Sequence, residues 1–257
     1  MLNSAQYPER FRDFILVPDE KMLSRRPGTW IQAVFKGRES VRGKFEAEFR
    51  PVFTLFTTGR AAEPVPFFCT RRDMAVLAAA GKRVMEICGA RREDRLLNAF
   101  PYAPHLAFWL THYAGMEFGA LMLSSGGGKV MNTDATLRLM AKLRPSDLIG
   151  VPTFLYHVLS QALAEKLRCE YLKNIVLGGE KAGEGLREKL RELARALGAE
   201  DVKILATYGF TEAKMAFAEC PAPPGKSSCG YHLYPDLGIV EIVNPKTGEV
   251  VPNGQGG

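Results

Sequence analysis

The chain has 257 residues, enough for one large domain or two small ones with a sizeable buried core. Apolar residues make up 46% and charged residues 24%, values that exclude collagen-like, coiled-coil and disordered classes. The net charge of +6 favours anionic ligands only weakly, and no arginine-rich block or basic-aromatic motif supports nucleic acid as a partner.

Five cysteines, an odd number without dense pairing, fit a reduced, cytoplasmic setting better than a disulfide framework. Met1 to Arg12 is polar, with no secretory h-region. The longest apolar stretch, 106–123, holds His112 and Glu117 and is broken by Gly115 and Gly119. It reads as a buried helix plus a strand, so no membrane association is expected.

Residues 1–50, punctuated by Pro8, Pro18 and Pro27, read as an extended or partly helical lead-in. From residue 70 a regular alternation begins. Thr70 three residues before Asp73 is a capping-box start, and Met74, Leu77, Val84 and Ile87 then recur at helical spacing. A strand over 95–100, a helix over 104–114 and a buried strand over 119–123 follow. A helix over 133–143, opened by Thr133 or Asp134, leads to a strand over 147–151. Pro152 suits the first turn of the next helix, which runs to about Arg168 with Leu155, Leu159, Ala162 and Leu163 inward. After a strand over 172–177, a helix over 183–197 buries Leu186, Leu190, Leu193 and Leu197 and ends at Gly198 as a left-handed cap. Arg187, Arg191 and Arg195 read as its solvated stripe. A strand over 202–206 closes the series.

Short apolar strands alternating with helices predict an α/β fold, a largely parallel sheet flanked by helices on both faces. After residue 215 the pattern changes: 238–243 alternates like a strand, and Pro252-Asn253-Gly254 signals a turn. The expected organisation is a lead-in over 1–50, an α/β nucleotide-binding core over 51–215, and the start of a β-rich subdomain over 216–257.

In such a sheet, ligands bind beyond the carboxyl ends of the strands. The loops there, 57–65, 100–105, 124–132, 151–153, 178–181 and 207–212, gather Thr57, Thr58, His105, Glu180, Tyr208, Thr211 and Glu212. Glu180 and Glu212 serve either a ligand or simply the caps of the next helices. P-loop, G-x-S-x-G, H-E-x-x-H and G-x-G-x-x-G motifs are absent from the sequence.

Gly178-Gly179-Glu180 after one strand and Tyr208-Gly209-Phe210-Thr211-Glu212 after the next resemble the adenylate-forming (ANL) superfamily. Gly230-Tyr231-His232, Pro235-Asp236 and the run from Glu241 to Glu249 resemble its phenylacetate–CoA ligase branch. The resemblance spans roughly 50–257. It implies the large N-terminal domain of an enzyme that uses ATP and Mg²⁺ to turn a small carboxylic acid, here an aromatic one, into an acyl-adenylate. Coenzyme A then takes the acyl group. By the same resemblance Tyr208 packs near adenine, Gly178, Gly179 and Gly209 let backbone approach the nucleotide, Thr211 bonds the α-phosphate and Glu212 holds Mg²⁺. Tyr102 and His105 are candidates for the acid pocket.

Thr57-Thr58-Gly59-Arg60-Ala61-Ala62-Glu63-Pro64 stands where the superfamily has T-S-G-T-T-G-K-P. Ala62 and Glu63 replace the second glycine and the lysine. Ala resists the positive φ of an anion-cradling turn and Glu repels triphosphate, so weakened phosphate binding is expected, with Arg60 a substitute charge. These departures keep a second reading open, a non-catalytic binding module. The chain ends before the family's ribose-binding aspartate and small C-terminal domain, which points to a fragment, inactive alone. Cys220, Cys229 and His232 form C-x8-C-x2-H, which suits either part of a zinc site or free thiols and a substrate-side His. The sequence leaves the oligomeric state open, a homodimer included.

Overall fold

The computed structural model describes residues 28–57, 64–222 and 228–254. The lead-in forms two helices, α1 (Thr29–Lys36) and α2 (Arg38–Phe49), split at Gly37, whose φ of 80° belongs to glycine. Strands β1 (Phe53–Phe56) and β2 (Pro66–Cys69) make an antiparallel hairpin. Helix α3 (Arg71–Cys88) opens on the expected capping box: Thr70 Oγ1 accepts from Asp73 N–H, and Asp73 accepts from Thr70 N–H.

The alternation continues as β3 (Arg95–Asn98), α4 (Leu106–Phe118), β4 (Leu121–Ser124), α5 (Thr133–Leu143), β5 (Asp147–Gly150), α6 (Pro152–Ala164), β6 (Asn174–Leu177), α7 (Glu184–Ala196), β7 (Lys203–Phe210) and β8 (Met215–Ala218). The last six strands form one sheet in the order β4-β3-β5-β6-β7-β8, parallel except for the antiparallel β7–β8 pair. The expected α/β class holds.

Adjacent strand residues divide between two cores, as the two-residue period of a strand requires. Leu97, Leu148 and Ile175 join α5, α6 and α7 in one cluster, while Leu96, Ile149 and Val176 join α3 and α4 in the other. Helices thus cover both faces. The connection from β3 runs to β4 on one side, and the next returns across β3 to β5 on the other. Such a reversal opens a crevice at the carboxyl ends of the strands.

Several expectations need correction. Asn132, not Thr133 or Asp134, caps α5, its Oδ1 accepting from Ala135 N–H at 2.9 Å. Helix α6 ends at Ala164, and Leu163 is 39% exposed. Strand β7 extends past residue 206 to Phe210, because β8 returns alongside it. Arg187 is not part of a solvated stripe, since its guanidinium pairs with Glu219. Residues 238–243 do not form a strand. Only a Val243–Val250 bridge forms around the Asn244–Gly248 turn, and Ile239, Val240 and Ile242 stay exposed because no second neighbouring segment covers them among the described residues.

Candidate functional site

The loop between β1 and β2 is pinched at its base. Thr57 N–H donates to Val65 O at 3.1 Å, and Val65 N–H donates to Thr57 Oγ1 at 3.0 Å. Thr58, Gly59, Arg60, Ala62 and Glu63 lie outside the described residues. The end of β1 is anchored to the start of α4: Phe56 N–H donates to Pro104 O at 2.7 Å, and His105 Nδ1 lies 3.2 Å from Phe56 O. His105 occupies the N-cap of α4 without a side-chain cap bond.

Next along the sheet edge, β6 ends at Leu177 and β7 passes it in parallel register, Leu177 opposite Ala206. The Gly178-Gly179 and Tyr208–Glu212 segments therefore lie side by side. Thr207 Oγ1 donates to Leu177 O at 2.9 Å, tying the two strands together. Gly178 permits this approach, since a Cβ there would stand 2.6 Å from Thr207 Oγ1 and 3.1 Å from the Phe100 ring. Gly179 has φ of +79°, which turns the chain sharply away from the strand. Thr211 and Glu212 sit at the tip of the β7–β8 hairpin, in a 3₁₀ turn closed by Lys214 N–H to Thr211 O at 3.1 Å.

Lys214 fixes this tip to the rest of the fold. Its Nζ donates to Phe68 O at 2.8 Å and pairs with Asp73 at 3.1 Å. Burial alone would raise the Asp73 pKa, but the Thr70 N–H and Lys214 outweigh it and hold the carboxyl below its ordinary value.

Together these segments line a cavity of about 290 Å³. Thr57, His105, Gly178, Gly179, Gly209, Thr211 and Glu212 from the sequence candidates all reach it. Thr207, Phe100 and Phe210 also line it and were not singled out from sequence; Thr207 directly follows the apolar run 202–206, the one signal that marks it. The remaining wall is apolar apart from Thr111 and comes from α3, α4, β5, β6 and β8.

Three candidates stand outside that lining. Thr207, Gly209 and Phe210 line the cavity but Tyr208 does not: it is 56% exposed and packs against Tyr231 with ring centres 6.0 Å apart. Glu180 is exposed and accepts from Thr153 Oγ1 at 2.8 Å. Tyr102 is 58% exposed and packs on Phe108 and Trp109.

The zinc expectation is not met as a three-ligand set. No group of three His, Cys, Asp or Glu side chains converges as a metal site among the described residues. The thiols of Cys220 and Cys229 do meet, and the hydrogen bond between them raises the Cys220 pKa. His232 lies on the segment paired with residues 218–220. Its N–H donates to Ala218 O while Cys220 N–H donates to Gly230 O, so His232 is a diagonal neighbour of Cys220 across this antiparallel pairing. No helix among the described residues is long and apolar enough to cross a membrane.

The chain is 27% identical over 213 residues to a phenylacetate-coenzyme A ligase of Thermus thermophilus, covering 78% of this chain and 43% of that protein. It is 24% identical over 266 residues to the phenylacetate-coenzyme A ligase of Pseudomonas putida, covering 98% and 56%. The chain spans about half the length of these relatives. Among solved structures, 2-hydroxyisobutyryl-CoA ligase in its thioesterification state matches with a TM-score of 0.67 at 20% identity, over 84% of this chain and 47% of that one. A long-chain-fatty-acid-CoA ligase of Archaeoglobus fulgidus matches with a TM-score of 0.63 at 18% identity, over 81% and 41%. At these identities the structures establish the shared fold. The model of the AMP-binding enzyme family matches residues 22–257, nearly the whole chain, and the chain belongs to that family.

Proposed function

We propose that this chain carries the nucleotide- and acid-binding part of an ATP-dependent acid–CoA ligase, acting on a compact, aromatic carboxylic acid. The observation that carries the reading is the mixed lining of one cavity. Thr57, Thr207, Thr211 and Glu212 supply oxygen donors and acceptors, and two helices and the sheet add mostly apolar side chains. Such a cavity takes a phosphate-bearing group and an apolar acid tail at once. The phenylacetate ligases among its relatives support an aromatic tail.

In this reading the acid's carboxylate oxygen attacks the α-phosphorus of ATP, the bond to the β-phosphate oxygen breaks, and pyrophosphate leaves. The chain's residues position that exchange. Gly178 and Gly179 admit the nucleotide close to the backbone, and Thr211 Oγ1 donates to an α-phosphate oxygen. The N-terminus of α4 has no side-chain cap, and its residues Leu106 and Ala107 line the cavity, so its free N–H groups favour the negative charge of the reacting groups. Apolar walls exclude water that would hydrolyse the acyl-adenylate. Coenzyme A then receives the acyl group as a thioester.

The donor set fits Mg²⁺. One carboxylate, Glu212, stands with hydroxyls of Thr57 and Thr211 in the same lining, and a magnesium ion in a nucleotide site takes one or two protein carboxylates and completes its shell with phosphate and water. When bound, the ion neutralises phosphate charge. Titration of the chain with ATP and Mg²⁺ by calorimetry tests the reading. Binding that Glu212→Gln weakens more for Mg-ATP than for adenosine supports it, and a folded chain that binds no nucleotide removes it.

One observation favours a second reading, a binding module that keeps the fold without catalysis. Glu63 stands where the resemblance places a lysine. Binding of an acyl-adenylate mimic without any acid-dependent exchange of pyrophosphate into ATP, in the full-length protein, selects this alternative.

A further inference from the structure

The two strand systems that supply polar groups to the cavity share no backbone ladder. Thr57 directly follows β1, and the β1–β2 hairpin is a two-stranded sheet of its own. Thr211 and Glu212 stand at the tip of the β7–β8 hairpin, on the edge of the six-stranded sheet. Strand pairing therefore does not set the distance between Thr57 and Glu212. Contacts between side chains must do so.

Part of that join is apolar. Leu55 of β1, Cys69 of β2 and Ala216 of β8 are buried in one cluster with Leu77, Leu106 and Leu110. Apolar burial holds the hairpins together, but it is non-directional and does not aim a turn. Lys214 supplies the directional part. Two residues beyond Glu212, its Nζ donates to Phe68 O on β2 at 2.8 Å and pairs with Asp73, in the first turn of α3, at 3.1 Å. Phe68 pairs with Thr54 in the hairpin that carries Thr57. One ammonium group thus ties the turn holding Glu212 to the hairpin holding Thr57.

The backbone at Lys214 shows that the side chain matters. Its φ is 54°, in the left-handed region that favours glycine. Among the described residues, the other non-glycine residues with positive φ are Arg144 and Lys166. Both follow α-helices, α5 and α6, where a left-handed residue is a common ending. At the hairpin tip glycine would form the turn without steric cost, and lysine adds a side chain that reaches across to β2. Lys214 is not among the residues lining the cavity, and Asp73 neutralises its charge, so it does not itself bind phosphate.

We infer that Lys214 is a positioning residue for nucleotide binding: by holding the Thr211–Glu212 turn against β2 and α3, it keeps Glu212 and Thr57 at the separation at which both serve one magnesium–ATP complex. This rests on the reading of the cavity as an ATP-dependent acid-activation site.

The test titrates Mg-ATP and adenosine by calorimetry into the wild type, Lys214→Met, Lys214→Arg, Glu212→Gln and the Lys214→Met, Glu212→Gln double variant, with urea unfolding of each. Lys214→Met keeps the aliphatic stem and loses the ammonium. It is expected to fold, to bind Mg-ATP roughly three- to tenfold more weakly, and to bind adenosine nearly as the wild type does. Lys214→Arg still carries donors and a charge for Phe68 O and Asp73, and is expected to recover most of the loss. In the Glu212→Gln background Lys214→Met is expected to cost little more, because the group it positions is already gone; a purely structural role gives the same loss in both backgrounds. Wild-type affinity in Lys214→Met, strictly additive losses, or a Lys214→Met chain that does not fold overturns the inference while the site reading stands. If the folded wild type binds no Mg-ATP, both fall.

Discussion

Arg187 and Glu219 form a bidentate pair, Nη1 to Oε2 at 2.8 Å and Nη2 to Oε1 at 3.0 Å, with side chains only 11% and 12% exposed. Glu219 Oε2 also accepts from Ala206 N–H at 2.8 Å. The pair thus ties α7 and the end of β8 to β7, the strand that delivers Thr207, Gly209 and Thr211 to the cavity. Arg187→Met leaves a buried carboxylate unpaired and is expected to cost about 3 kcal/mol in urea unfolding. Adding Glu219→Gln keeps an acceptor for Ala206 while removing the charge, and is expected to recover much of that loss. Equal destabilisation by the single and double changes would show that the pair itself is not what matters.

Gly178 and Thr207 share one space. Gly178→Ala is expected to cost about 2 kcal/mol, since the new methyl meets both Thr207 Oγ1 and the Phe100 ring. Thr207→Ala removes one of the two obstacles. The double variant is therefore expected to be more stable than the sum of the single effects predicts, a coupling measurable by a double-mutant cycle. Strict additivity would contradict the geometry.

The sheet and helices were legible because each is specified locally. Helix α5 occupies the expected 133–143, and α6 starts at Pro152, where the missing N–H costs nothing. Arg187 was misplaced because helical periodicity cannot register a partner 32 residues away. Residues 238–243 have the alternation of a strand, but a strand needs a hydrogen-bonded neighbour, and only 249–251 returns to meet them. The two motifs lie side by side at one sheet edge. Within β7, Thr207 lines the cavity, while its neighbour Tyr208, which the resemblance puts near adenine, stands outside that lining.

Asp73 links the cap of α3 to Lys214 beneath the hairpin tip. Its folded-state pKa lies below the ordinary 3.8, so the folded state binds the proton less well than the unfolded chain does. Its stabilising contribution is therefore fully present above about pH 5 and is lost as pH falls through the folded value. Asp73→Asn is expected to be less stable than wild type at neutral pH, with the gap closing below pH 4. A gap that is constant down to pH 2 would show that charge plays no part.

Among the described residues, Glu212 is the one carboxylate in the cavity lining. Chelation of Mg²⁺ is expected to weaken ATP binding to the wild type by about tenfold and to Glu212→Gln much less, because the variant has already lost its charged metal ligand. Adenosine affinity is expected to change little in either protein. If chelation weakens both proteins equally, Glu212 does not hold the ion.

Glu63 is two residues from Val65, whose N–H bonds the cavity-lining Thr57. Residue 63 itself lies outside the described residues, and the resemblance to the superfamily's phosphate loop is what puts its charge near triphosphate. A carboxylate there repels triphosphate, and a lysine attracts it. Glu63→Lys is expected to tighten ATP binding by on the order of 1 kcal/mol, or several-fold in affinity. Because the Debye length falls from about 10 Å at 0.1 M salt to about 3 Å at 1 M, the gain is expected to shrink as salt rises. Adenosine, which carries no phosphate, is expected to show no gain, so titrations of both ligands at two salt concentrations separate charge attraction from a change in loop shape. An equal gain for adenosine, or a gain that high salt leaves intact, would assign the effect to shape and leave the glutamate without an electrostatic role.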